Sequence, residues 1–257
     1  MYAALARYYD LLHDQLSEDL DFVLDLAANY GDPVLELGCG TGRLLLPLVR
    51  AGYIVTGVDN EEAMLMRARQ RLVQEKPEVR RRAAFIQADV RNLVMPQNIA
   101  QYGLAIFSYN TLFHFRPSEV QQALRGIRKL LRQDGRVFID LANPFLIEGS
   151  EYEEYPVVEN SFTDPTTGRP VVQTSLSSLD PVEQCLQTTW LFETGKESKQ
   201  PVEAVSVEIN YWYYFPHQME LLLQQAGFQL DQIKGDYDHS DFHEESSRLL
   251  ILASLQS

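Results

Sequence analysis

Short apolar runs alternate with stretches of helical period through the first half of the chain. Val34-Leu35-Glu36-Leu37, Tyr53 to Val58, Ala83 to Val90, Tyr102 to Ser108 and Arg136 to Leu141 are bounded by turn residues and read as strands. Ser17-Glu18-Asp19-Leu20 opens a helix with a capping serine and acids in its first turn. Phe22, Val23, Leu26 and Ala27 give that helix an apolar stripe, and Gly31-Asp32-Pro33 ends it. Leu44, Leu45, Leu46, Leu48 and Val49 mark a second helix, and a third runs from Asn60 to Lys76, stopped by Pro77. A fourth spans Pro117 to Leu131, after which Gln133-Asp134-Gly135 turns the chain into the fifth strand. Strand, helix and strand in this alternation predict an α/β domain.

From Glu148 to Pro216 the period changes to two. Val171 to Leu176, Cys185 to Phe192 and Val205 to Tyr214 alternate apolar and polar positions, with turn signals at Asp164-Pro165-Thr166-Thr167-Gly168, Asp180-Pro181 and Gly195-Lys196. The pattern predicts an antiparallel sheet inserted at residues 148–215 into a core made of residues 1–147 and 216–257. Asn143-Pro144-Phe145, just before it, reads as a loop. Pro216 to Ala226 returns to helical period, Gln229 to Lys234 forms the sixth strand and Arg248 to Ala253 the last.

The stretch that organises the rest is Val34 to Gly42 with Asp59. Glycines at 38, 40 and 42 let the backbone take positive φ and approach a ligand closely. A dinucleotide fingerprint needs its third glycine at position 43, which is Arg43; the pattern is E-x-G-x-G-x-G instead. Glu36 places a carboxylate where a diphosphate is repelled and an amino group is welcomed, and Asp59, ending the second strand, is spaced to accept hydrogen bonds from a ribose diol. A ligand with an amino group, a ribose and no phosphate is implied, and S-adenosylmethionine meets that description.

At these residues the chain resembles the class I S-adenosylmethionine-dependent methyltransferases. The resemblance implies a Rossmann-like, mostly parallel seven-stranded sheet with helices on both faces and an antiparallel last strand, carrying the inserted antiparallel sheet. It also implies cofactor contacts from Glu36, Gly38, Cys39, Gly40 and Gly42 at the first turn, and from Asp59 and Asn60 with Met64 against the adenine. Asp89 would meet the adenine amino group beside the Val90 backbone, and Ser108 and Asn110 would follow the fourth strand. Tyr9, next to Tyr8 in a Tyr-Tyr-Asp segment before the first strand, is expected to fold over the site. The inserted sheet resembles that of small-molecule N-methyltransferases, notably those acting on aminosugars and, more distantly, on glycine and sarcosine. It is placed either to roof the pocket or to pair two subunits as a homodimer.

The loop Tyr109 to Phe115 lies at the carboxyl end of the fourth strand, where open parallel sheets hold their ligands. His114 is its candidate base and Tyr109 its other candidate catalytic side chain. Alternation along Tyr211-Trp212-Tyr213-Tyr214 sends Trp212 and Tyr214 to one face and Tyr211 and Tyr213 to the other, one pair forming an aromatic wall for the acceptor.

Twenty-two basic against 36 acidic side chains, a net charge of −14, speak against a nucleic-acid acceptor. Cys39 and Cys185 are too far apart in sequence to suggest a disulfide framework or metal site, no membrane span or export signal is seen, and a cytoplasmic enzyme is expected. Methyl transfer to a small-molecule amine is the first expectation. A protein methyltransferase or a non-catalytic cofactor-binding protein are the alternatives.

Overall fold

The computed structural model describes residues 6–13, 15–95, 101–152, 154–164, 167–194 and 204–256. The turns expected at Pro165-Thr166 and Gly195-Lys196 lie outside the described residues. In chain order the elements are α1 (Ala6–His13), α2 (Leu20–Tyr30), β1 (Val34–Leu37), α3 (Leu45–Ala51), β2 (Val55–Asp59), α4 (Glu62–Val73), α5 (Pro77–Arg80), β3 (Ala83–Gln87), β4 (Tyr102–Phe107), α6 (Pro117–Arg128), β5 (Leu131–Ala142) and α7 (Pro144–Glu148). They continue with β6 (Val157–Thr163), β7 (Pro170–Asp180), β8 (Cys185–Thr194), β9 (Ala204–Trp212), α8 (Pro216–Gln225), β10 (Phe228–Lys234) and β11 (Arg248–Leu255).

One sheet has seven strands in the order β10-β11-β5-β4-β1-β2-β3. β1, β2, β3, β4 and β5 pair in parallel, whereas β11 runs antiparallel to both β5 and β10. The central strands β1 and β4 are buried along their whole length, which is why they read as continuous apolar runs. Along β4, Leu104 and Ile106 pack with residues of α2 and α3 on one face, and Ala105 and Phe107 pack with residues of α6 and α8 on the other. In β1, Leu37 pairs with Val58 and Phe107, so the parallel strands end side by side and their following loops share one edge.

The second sheet is a separate antiparallel meander, β6-β7-β8-β9. On β7, Val171, Gln173 and Ser175 are buried, and Val171 joins Phe192, Val207 and Ile209 in an apolar cluster. Tyr8 of α1 sits in that cluster, stacked on Phe192 at 5.3 Å, while neighbouring Arg7 is ion-paired with buried Asp164. α1 is thereby anchored to the second sheet.

Several elements differ from expectation. α2 starts at Leu20 and not after Ser17, because the Asp19 carboxylate is held by Arg43 through two hydrogen bonds of 2.7 and 2.6 Å. α4 ends at Val73, short of Lys76, and α6 ends at Arg128, short of Leu131. β5 already begins at Leu131, and its register against β4 shifts between Tyr102 and Leu104, where the expected turn at Gln133-Asp134-Gly135 is absorbed. Asn143-Pro144-Phe145 is not a loop: Asn143 caps α7 by accepting a hydrogen bond from the Phe145 N–H at 3.0 Å. β9 stops at Trp212, so Tyr213 and Tyr214 leave the pleat and are buried in the main core, and the expected sorting of the four aromatics by alternation fails.

Burial differences set the energetic scale. Phe107 is fully buried in β4, and Phe107→Ala should lower unfolding free energy by about 3–5 kcal/mol, whereas Leu221→Ala on the exposed side of α8 should change it by under about 0.5 kcal/mol. Denaturant unfolding of the two variants checks the contrast.

Candidate active site

The turn after β1 takes its shape from glycines with three distinct tasks. Gly38, Gly40 and Gly42 have φ of 72°, 52° and 81°, a region that favours glycine. A Cβ on Gly38 would lie 2.6 Å from Cγ2 of Thr111, so the turn and the loop after β4 touch closely. Gly40 donates its N–H to Oδ2 of Asp59 at 2.8 Å, and Oδ1 of Asp59 accepts from the Glu61 N–H at 2.9 Å. Gly42 faces inward, where a Cβ would contact Ala68 of α4 at 3.5 Å. Cys39 is buried, with its side chain turned toward Gly57 of β2, leaving its backbone for the site.

A cavity of about 860 Å³ opens beside this turn. Gly38, Gly40, Asp59, Asn60, Met64, Asp89 and Val90 border it from the ends of β1, β2 and β3, and Tyr109, Asn110 and His114 border it from the loop after β4. Tyr9 and His13 of α1 close one side, and Trp190, Phe192, Ile209, Tyr211 and Trp212 of the meander line it as well. The second sheet therefore roofs the cavity. Of the residues expected at the site, Glu36, Cys39, Gly42 and Ser108 are not on the cavity wall; Ser108 instead hydrogen-bonds Glu36 beneath it.

Sequence reading had not singled out His13, Asn160, Gln173, Trp190 or Arg91 for this site. Arg91 follows Asp89 and Val90 in the chain, and the other four arrive through tertiary contact. His13 stacks on Tyr9 at 4.1 Å and shares a 2.9 Å hydrogen bond between its Nδ1 and the Tyr9 carbonyl, which can only accept, so Nδ1 carries the proton. Asn160 donates to Oε1 of Gln173 at 3.0 Å across β6 and β7, and Trp190 donates to the Tyr211 hydroxyl at 3.1 Å.

Burial sets the ionisation of the site. It pushes the Glu36 carboxyl up to about 8, and its Oε2 has no hydrogen-bond partner among the described residues. Burial also pushes the Tyr9 hydroxyl up to about 12 and lowers His114 to about 4, so His114 is neutral at physiological pH. Asp59 is raised by burial, against the hydrogen bonds from Glu61 and Gly40. Asp89 is held below the usual carboxylate range by Arg91, which bonds both of its oxygens and also pairs with Glu119.

Those features fit the group implied by the sequence. An orphaned buried carboxyl oxygen under a glycine turn suits an ammonium group, and an acid at the end of β2 suits a ribose. Among the described residues no group of His, Cys, Asp and Glu is arranged to bind a metal, and no helix is long and apolar enough to cross a membrane.

The chain shares the fold of an S-adenosylmethionine-dependent methyltransferase from Clostridium acetobutylicum, with a TM-score of 0.77 at 15% identity over 97% and 96% of the two chains. Residues 34–135 match the family described as a methyltransferase domain. The chain is 23% identical to a putative methyltransferase, YqeM, of Bacillus subtilis over 86% of its length and 83% of the relative's. It is 25% identical to the cypemycin N-terminal methyltransferase of a Streptomyces species, covering 96% of this chain and 94% of that one. It shares the fold of the sugar N-methyltransferase KedS8 from a Streptoalloteichus species, with a TM-score of 0.74 at 17% identity over 100% and 93% of the two chains.

Glu36 gives a pH signature. With the carboxyl raised to about 8 in the fold from its ordinary 4.5, the folded state keeps a proton that the unfolded chain has released, so stability without ligand falls as pH rises from 4.5 to 8. Glu36→Gln should remove much of that loss, on the order of a few kcal/mol, and urea unfolding at pH 5 and pH 8.5 measures it.

Proposed function

We propose that the protein transfers a methyl group from S-adenosylmethionine to the unprotonated amine of a small molecule held under the meander. The observation that carries this reading is the roof: Trp190, Phe192, Ile209 and Tyr211 cover the loop bearing His114, a wall suited to a compact acceptor and not to a long polymer. The relatives support nitrogen, one named for a peptide N-terminus and one for a sugar amine. The acidic balance of 22 against 36 charges speaks against a nucleic-acid acceptor.

In this reading Asp59 holds the ribose diol, Gly38 and Gly40 present backbone to the aminoacyl end, and Glu36 and Cys39 support that turn from beneath the cavity wall. Met64, Asp89 and Val90 frame the adenine, Asn60 and Asn110 complete the berth, and Ser108 holds Glu36 beneath it. The bound cofactor supplies a methyl carbon already activated by a sulfonium, which the acceptor's lone pair displaces in line. The chain's own work is alignment and exclusion of water. Tyr9 and the meander shut out solvent. His114, near 4, is too weak a base to hold a proton from an ammonium at neutral pH, so we assign it an orienting hydrogen bond to an amine that arrives neutral.

A cytoplasmic setting accords with two free, buried cysteines. The core at 1–147 and 216–257, with the insertion at 148–215, is retained as the domain division. β6 also leaves Val158 64% exposed on an open edge strand, a surface suited to pairing two copies. Sedimentation equilibrium should then give a dimer that Val158→Lys weakens, and a monomer at all concentrations removes the dimer reading.

Calorimetry with S-adenosylmethionine should show one site per chain, lost in Asp59→Ala and in Gly40→Val. Incubation with labelled cofactor and a panel of amines, aminosugars, phenols and peptides with free N-termini should label an amine, at a rate rising with pH through that amine's own pKa. Binding without product across the panel would mark a non-catalytic module, and product only with peptides would move the acceptor class.

A further inference from the structure

Behind the cavity, two buried ion pairs converge on one aromatic ring. Arg248, at the start of β11, donates Nε to Oδ1 of Asp140 at 3.0 Å and adds a second, shorter bond from Nη2. Arg43 pairs end-on with Asp19, donating Nη1 to Oδ1 at 2.7 Å and Nη2 to Oδ2 at 2.6 Å. The carboxylates are 1% exposed in both pairs, so neither guanidinium is a solvated surface charge. Both reach Tyr109, with the Arg43 guanidinium 5.4 Å and the Arg248 guanidinium 4.9 Å from its ring centroid. Cations over an aromatic ring are attracted to its negative faces.

The same network fixes the backbone beneath that ring. Tyr109 and Asn110 both have positive φ, 41° and 65°, a conformation that side-chain-bearing residues keep only when their surroundings impose it. Oδ2 of Asp140 accepts from the Tyr109 N–H at 3.2 Å and from the Tyr237 hydroxyl at 2.9 Å, and the Asp140 carbonyl accepts from the Asn110 N–H at 2.9 Å. The Asn110 side-chain oxygen accepts from the Ala142 N–H at 2.6 Å and from Arg248 at 3.2 Å. All but the Tyr237 bond tie the loop after β4 to the ends of β5 and β11. Nothing in the fold of the sheet itself requires a left-handed pair at this point.

We propose that Asp140, Arg248 and Tyr237, with Asp19 and Arg43, are positioning residues that clamp Tyr109 so that it forms the wall against the aminoacyl chain of the cofactor. With two guanidinium groups already over its ring, Tyr109 meets the ligand through its edge and its hydroxyl, not as a cation-binding face. The nucleoside end of the cavity, at Asp59, Met64 and Asp89, is built from β2, β3 and α4 and does not share this network. The proposal rests on reading the cavity as the methyl-donor site.

Calorimetry with two probes separates the ends. S-adenosylmethionine carries the aminoacyl chain, and 5′-methylthioadenosine keeps the nucleoside and thioether but lacks it. In Tyr237→Phe, Arg248→Lys and Tyr109→Leu, affinity for S-adenosylmethionine should fall by about tenfold or more while that for methylthioadenosine stays within about twofold. Tyr109→Phe, which keeps a ring between the guanidinium groups, should lose much less than Tyr109→Leu. If Arg248→Lys does not fold, Tyr237→Phe and the Tyr109 pair decide the matter. Equal losses for both probes, or no loss for either, overturn the clamp and leave the network a packing feature. A wild-type protein that binds neither probe overturns the donor-site reading and the clamp with it.

Discussion

The Asp59 carboxylate joins the two halves of the site. One oxygen takes the Gly40 N–H and the other the Glu61 N–H, so a single half-buried acid fixes both the glycine turn after β1 and the start of α4 after β2. A carboxylate has more acceptor positions than these two bonds occupy, and Asp59 also borders the cavity, so the same group can shape the turn and still receive a diol. The turn needs the parallel pairing of β1 with β2, which brings Leu37 beside Val58 and lets the Gly38 and Cys39 N–H groups both reach the Val58 carbonyl. The sheet is thus the means by which two backbone strands deliver one ligand cradle.

The rest of the molecule closes that cradle from above. α1 divides its work between adjacent residues, because Tyr8 is buried in the meander's apolar cluster and Tyr9 lies against Gly40. Asp10 follows with ion pairs to Arg67 and Arg71 of α4. One short helix therefore links roof, glycine turn and the helix beside the nucleoside end. The meander and the glycine turn are thus held by neighbouring residues of one helix.

Local chemistry was readable from the chain, and long-range chemistry was not. The E-x-G-x-G-x-G turn, the acids at 59 and 89 and the apolar runs of β1 and β4 carry their meaning within a few residues, and the fold follows from them. β6 escaped notice because an exposed edge strand, Val157 to Thr163, has little reason to alternate. Ser17 was a sound capping residue by type, yet the chain placed the helix start at Leu20, where Asp19 answers an arginine 24 residues away. Asn143 reads as loop until Ser246 and Glu244 supply carbonyls for its amide. His13, Gln173 and Asn160 reach the cavity only through the docking of α1 and the meander.

The central claim is that an acid-tethered glycine turn forms a berth for a sulfonium nucleoside. A crystal structure of the protein grown with S-adenosylhomocysteine tests it most directly. The account predicts the ribose hydroxyls on the Asp59 carboxylate, the adenine beside Met64 and Asp89, and the aminoacyl chain running over Gly38 toward Tyr109. A cavity that stays empty at saturating ligand, or a nucleoside bound away from Asp59, contradicts it.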